Sequence, residues 1–228
     1  MVLGAGLILG GCQGSKTHAY RDQPMPWSDD PITNRPRGAK RPREPISRPS
    51  AKPRQDQLAG VARRWEWTST NPRIWLADSM NGISRITVHH YGMPPVLLRR
   101  KSDVTNRIEI IRRAHVNKGW ADIGYHFVID PMGRVWEGRP LQLQGAHVRD
   151  QNEHNLAVMV LGNFEEQRPT TDAIRTLESF VIAQMHRYQV PLNRVRTHLE
   201  LANTTLCPGY NLQRQMVASR ATGNIASA

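Results

Sequence analysis

The sequence predicts an α/β fold: a single domain with a central mixed β-sheet flanked by helices, preceded by a disordered basic tether. Three observations carry that expectation. Apolar residues recur with a regular period only from about Trp65 to Val217. Within that stretch, β-branched runs interleave with segments of helical spacing, a pattern that packs helices on the faces of a sheet. From Gln13 to Arg64, by contrast, 12 Lys or Arg stand against 5 Asp or Glu, a net of +7, with 8 of the 16 prolines and no period. A chain of 228 residues has room for one domain of ordinary size plus such extensions.

The first segment, Val2 to Leu9, is apolar and runs into Leu9-Gly-Gly-Cys12. That tetrapeptide resembles the lipobox of bacterial lipoproteins, although no Lys or Arg precedes the apolar run. The resemblance implies that residues 1–12 are a lipoprotein-type signal segment. A lipid on Cys12 would then anchor the chain in the bacterial cell envelope, facing the periplasm or exterior. The segment itself is too short to span a bilayer. Residues 13–64 read as the tether, because so few apolar groups cannot offset the entropy of ordering the backbone. More than half of the chain's +12 lies in this tether, which suits rest on an anionic envelope. No nucleic-acid partner is expected.

Residues 65–217 form the expected domain, with residues 218–228 a disordered tail. Ile83-Ser-Arg-Ile-Thr-Val88 is β-branched and reads as a strand that delivers His89 at its end. Val104, Ile108, Ile111 and His115 fall at helical spacing, with Ser102 or Thr105 as cap and Gly119 as stop. Tyr125 to Ile129 and Val135 to Glu137 flank the turn formers of Asp130-Pro-Met-Gly-Arg134 and predict a hairpin. Leu156 to Leu161 is a continuous apolar run, as in a strand buried on both faces. Thr170 or Thr171 caps a long helix whose apolar positions are Ile174, Leu177, Val181 and Met185. Val195 to His198 is a short last strand or loop.

Chemistry concentrates in His89, His198 and Cys207. Two imidazoles and one thiolate suit Zn2+ and leave a fourth tetrahedral position for water, which a metal hydrolase needs. Taken singly, His89 and Cys207 also read as a core imidazole and a buried apolar thiol. Only Cys12 and Cys207 are present, so a lipid on Cys12 excludes a disulfide and leaves Cys207 to be buried or ligated. The pleat turns His90 to the opposite strand face from His89, and turns His126 away from Tyr125 into packing. His115 packs or caps, His154 and His186 are solvated, and Trp120 and Trp136 have two readings, core packing as the more frequent role of large aromatics and stacking on sugar rings as the other. Arg139 and Arg149 read either as binders of substrate carboxylates or as plain surface arginines, and stay outside the catalytic set.

Six blocks occur in one order: Ile86-Thr-Val-His-His90, Gly119 through Phe127, Gly133-Arg-Val-Trp-Glu-Gly-Arg139, Gly145-Ala-His147, Asn155 through Phe164, and Thr205-Leu-Cys-Pro-Gly209. Together they resemble the zinc N-acetylmuramoyl-L-alanine amidase family, which includes peptidoglycan recognition proteins and the phage amidase-type lysozyme. The resemblance implies hydrolysis of the amide between N-acetylmuramic acid and L-alanine, with peptidoglycan or muropeptides as partners. It implies His89, His198 and Cys207 as zinc ligands, Tyr125 as the catalytic tyrosine, and Thr205 as a group assisting at the oxyanion. His147 matches a histidine near the cleft and is carried as a substrate or second-sphere group. Two departures stand out. Eight residues separate His198 from Cys207, one more than usual in the family, and Ala157 replaces the usual glycine.

An unactivated amide resists water because hydroxide is scarce and the amine is a poor leaving group. Zinc answers the first difficulty by lowering the pKa of water from about 15.7 towards 7, and it polarises a carbonyl. A phenol is a poor base at neutral pH, so Tyr125 is expected to orient and stabilise more than to take protons. The competing expectation is a peptidoglycan-binding module without turnover. Non-catalytic relatives typically lack a zinc ligand, and this chain has all three.

Overall fold

The computed structural model describes residues 60–95, 97–202 and 204–226. The Cys12 segment and residues 13–59 of the expected tether lie outside the described residues. Six strands, β1 (Val61–Ala62), β2 (Arg85–His90), β3 (Phe127–Ile129), β4 (Val135–Glu137), β5 (Asn155–Val160) and β6 (Val195–Thr197), alternate with helices α1 (Lys101–Asn117), α2 (Thr171–Tyr188), α3 (His198–Leu201) and α4 (Tyr210–Ala221). The strands form one mixed sheet in the order β1-β4-β3-β5-β2-β6. β2 runs parallel to β5 and β6, and β3 parallel to β5, while β4 folds back antiparallel on β3. Among the described residues no helix is long and apolar enough to cross a membrane.

The strand pleat divides the work. Ile86 and Val88 of β2 join Leu156, Val158 and Val160 of β5 in a core that also takes in Leu177, Val181 and Met185 of α2 and Leu212 and Met216 of α4. Alternation then sends Thr87 and His89 to the other side of β2, where His89 lies in register with Met159. Every residue of β5 is buried, as a strand covered on both faces must be. Inside the hairpin turn, the Asp130 carboxylate accepts from the backbone N–H groups of Met132 and Arg134 at 2.8 and 3.1 Å and from the Trp136 indole at 2.9 Å. That side chain replaces the ladder the tight turn lacks.

Thr170 caps α2, its hydroxyl accepting from the Ala173 N–H. α1 differs from expectation: Arg100 is its N-cap with no side-chain cap, and Ser102 and Thr105 lie within the helix. Apolar spacing marks where a helix is buried, not where it begins. The domain also extends beyond both sequence-drawn boundaries. Val61–Ala62 pairs with β4, and Arg64, counted with the tether, bonds the Asp122 carboxylate at 3.0 Å and the Gly138 carbonyl at 2.9 Å. At the other end α4 runs to Ala221 and Ile225 is fully buried. A two-residue strand is too short to show a period, which is why the sequence pattern begins later than the fold.

Candidate metal centre

His89 sits near the C-terminal end of β2, one of the central strands, and is 1% exposed. His198 reaches the same place from the neighbouring strand β6. Thr197 closes a capping box there, its hydroxyl accepting from the Glu200 N–H while the Glu200 carboxylate accepts from the Thr197 N–H at 2.9 Å. The box stops β6 and starts α3 with His198 as its first residue. Glu200 is also bonded by Arg220 of α4 at 2.9 Å, which fastens the turn to the core.

Cys207 arrives on the loop after α3. Its carbonyl accepts from the Leu199 N–H at 2.7 Å, its N–H donates to the Thr205 hydroxyl at 3.1 Å, and its sulfur accepts from the His90 N–H at 3.4 Å. Gly209, at φ +84°, closes the loop against Phe164, where a Cβ would come within 2.5 Å of the Phe164 carbonyl carbon. Only glycine permits that approach. Despite the longer spacing, one ligand atom each from His89, His198 and Cys207 lies within 4.8 Å of the others. The three sequence-expected ligands are therefore brought together.

Burial, and then the nearby His198, His147 and His90, hold His89 well below the usual imidazole range. Burial takes His198 down to about 4. Both rings are neutral at pH 7 and keep a lone pair to donate. Burial pushes the Cys207 thiol up to about 12, against the pull of the His90 N–H. Metal binding must therefore expel a proton from the sulfur. Two neutral imidazoles and a thiol at this separation fit zinc chemistry. Tyr125 stands beside them, its ring centroid 5.2 Å from that of His89, and burial, followed by Cys207 and Tyr91, raises its phenol. It is a poor base here.

His147 is 4% exposed. Its Nδ1 lies 2.9 Å from the Nε2 of His89 and its Nε2 lies 3.2 Å from the Asn155 carbonyl, so the ring packs directly behind His89. His90 bonds towards the Phe164 N–H at 3.3 Å, away from the His89 contacts. His126 accepts from the Ala157 N–H at 3.0 Å and bonds the Leu143 carbonyl at 3.1 Å. His115 accepts from the Gly124 N–H at 3.0 Å, which fixes the residue before Tyr125. Trp136 is a core residue, and Trp120 stacks on His115 with centroids 4.5 Å apart.

Arg139 is the correction. Expected at the surface, it is 2% exposed and donates to the carbonyls of Ile123, Gln144 and Asp122 at 2.7, 2.6 and 3.0 Å. Its rigid fork ties the segment before Tyr125 to the one before His147. Sequence reading also passed over Asn152, whose side chain accepts from the N–H groups of His147 and Val148 at 2.9 and 3.0 Å. Thr197-His-Leu-Glu200 carried a legible capping signal that predicts where His198 must sit.

Known proteins share the sequence pattern and the fold that build this centre. The family profile described as N-acetylmuramoyl-L-alanine amidase matches residues 79–210. Peptidoglycan-recognition protein SC2 of Drosophila melanogaster is 27% identical over 153 residues, 67% of this chain and 80% of that protein. The endolysin of Escherichia phage T7 is 29% identical over 109 residues, 46% of this chain and 70% of the endolysin. Among solved structures, peptidoglycan recognition protein-LE in complex with tracheal cytotoxin, a monomeric diaminopimelic acid-type peptidoglycan, superposes with a TM-score of 0.62 at 21% identity, over 72% of this chain and 94% of that one.

Proposed function

From the premise that this chain belongs to the N-acetylmuramoyl-L-alanine amidase family, we propose that it is a zinc hydrolase that cleaves the amide between N-acetylmuramic acid and L-alanine in peptidoglycan, in cell-wall remodelling or recycling. The observation that carries this reading is the convergence of His89, His198 and Cys207 donor atoms within 4.8 Å, with Tyr125 beside them. Bound by these three residues, zinc would supply Lewis acidity and acidify water. A peptidoglycan or muropeptide substrate accords with the ligand of the recognition protein named above.

The protein's own groups do the rest. The raised phenol of Tyr125 keeps its proton at neutral pH, so it acts as a donor that orients the attacking water or the developing oxyanion. Thr205 already accepts from the Cys207 N–H, and its hydroxyl proton is what it offers to the oxyanion. His147 holds His89 from behind. A lipid on Cys12 would keep this chemistry at the envelope surface.

The test incubates the full chain with purified peptidoglycan, with and without chelator, and follows stem peptides that carry a free alanine amine. Zinc-dependent release that Cys207→Ala abolishes is expected. Binding to peptidoglycan without release, unchanged by Cys207→Ala, would make the protein a non-catalytic recognition module.

A further inference from the structure

The hydrogen bonds behind His89 have a direction. A backbone carbonyl only accepts, so the His147 Nε2 facing the Asn155 oxygen at 3.2 Å carries the hydrogen. In a neutral ring the other nitrogen is then bare. The His89 Nε2 lies 2.9 Å from that bare Nδ1 and must be the donor. This leaves the Nδ1 of His89 without a hydrogen, 3.5 Å from the Cys207 sulfur. Resting on the zinc-site reading above, we propose that His147 is a positioning residue that locks His89 in its Nε2–H tautomer, so that Nδ1 is the nitrogen offered to the metal.

The relay is anchored from behind. The His147 N–H donates to the Asn152 side chain at 2.9 Å, and the Thr87 hydroxyl donates to the Asn155 side chain at 2.7 Å. The Asn155 amide donates in turn to the Gln151 carbonyl at 2.8 Å. Gly145 makes room for the ring, since a Cβ there would lie 2.4 Å from the His147 Cδ2. A ligand imidazole whose second nitrogen is held by an acceptor has its tautomer and orientation set before the metal arrives.

Nitrogen NMR on the metal-free full chain, with labelled histidine, reads the relay directly. The expected result is a proton on the His89 Nε2 with a coupling across the hydrogen bond to the His147 Nδ1. Zinc affinity, measured by chelator competition, should fall about 10- to 100-fold in His147→Leu. It should stay within a few-fold of wild type in His147→Asn, which retains an acceptor oxygen near the Nδ1 position. A proton on the Nδ1 of His89, or unchanged zinc affinity in a His147→Leu variant with native circular dichroism, would overturn the proposal. Should His147→Leu not fold, the wild-type spectrum and His147→Asn still decide. Failure of the wild-type protein to bind zinc would instead sink the hydrolase reading, because the coupling is measured without metal.

Discussion

The backbone N–H of His90 donates to the sulfur of Cys207 at 3.4 Å, joining two residues 117 positions apart in the chain. The bond sets the positive end of an N–H dipole against the sulfur, so under the proposed zinc reading the end of β2 both offers one ligand, His89, and favours the thiolate of another. Replacing Cys207 by Ala removes the only anionic donor in the cluster. Losses behind a ligand already cost about 10- to 100-fold in metal affinity, so loss of the ligand itself should exceed ~100-fold. Chelator competition checks the affinity, and zinc-dependent release of stem peptides should vanish with it.

Tyr125→Phe separates binding from turnover. The ring packs tilted beside His89 and edge-on against His115, with centroids 5.2 and 5.7 Å away, and phenylalanine preserves both contacts. Only the hydroxyl donor is lost. Removing one such donor costs about 10²- to 10³-fold in rate elsewhere. Peptidoglycan hydrolysis should fall by that order while zinc affinity stays within a few-fold, and a matching fall in zinc affinity would contradict the assigned role.

Much of this arrangement was legible in the sequence, for identifiable reasons. A continuous apolar run marked β5, and a β-branched run ending in His89 marked β2, because burial of a strand writes itself into residue type. The clustering of His89, His198 and Cys207 was legible because few residue types offer soft nitrogen and sulfur donors. The burial of Arg139 is not legible, since its partners, the carbonyls of Ile123, Gln144 and Asp122, are backbone groups that no side-chain pattern announces. The sequence does not choose between two roles for His147 for a similar reason: only the approach of β5 brings the Asn155 carbonyl to its ring. β1 escaped because two residues have no period.

Arg139→Met tests that buried fork. Methionine keeps much of the volume but leaves three carbonyls without this donor. Each buried acceptor so stranded costs about 1–3 kcal/mol, less whatever water recovers, so a loss of about 3 kcal/mol is expected. Denaturant unfolding should show a lower midpoint with a similar slope. Hydrolysis should fall too, because the segments preceding Tyr125 and His147 are no longer tied.

Gly209→Ala should damage the site without touching a ligand. The residue has φ +84°, and its new Cβ would lie 2.5 Å from the Phe164 carbonyl carbon, which as backbone cannot swing aside. Gly209 combines φ +84° with ψ 148°, close to a glycine-only region that costs another residue about 1–3 kcal/mol, and relief of the clash must move the loop that carries Cys207. A lower melting temperature together with weaker zinc binding is expected. Lower stability with unchanged zinc affinity would show that Cys207 is held independently of Gly209.

Acid should destabilise the metal-free protein as pH falls below about 6.5. His126 is held down to about 4, by burial first and Arg139 in part, and His115 to about 3, by burial first and then Arg139 and Lys118. In the unfolded chain both return to about 6.5. Between those values the unfolded state binds more protons than the folded one, so stability rises with pH across the window. The contribution is fully present above about 6.5 and is lost progressively as pH falls towards 4 and 3. One pKa unit corresponds to about 1.4 kcal/mol, so shifts in this direction lower stability measurably as pH falls. Urea melts of metal-free protein from pH 7 to 4 should show a falling midpoint, and His126→Gln should flatten that dependence. A midpoint constant over this range would mean that the two imidazoles are not buried in neutral form.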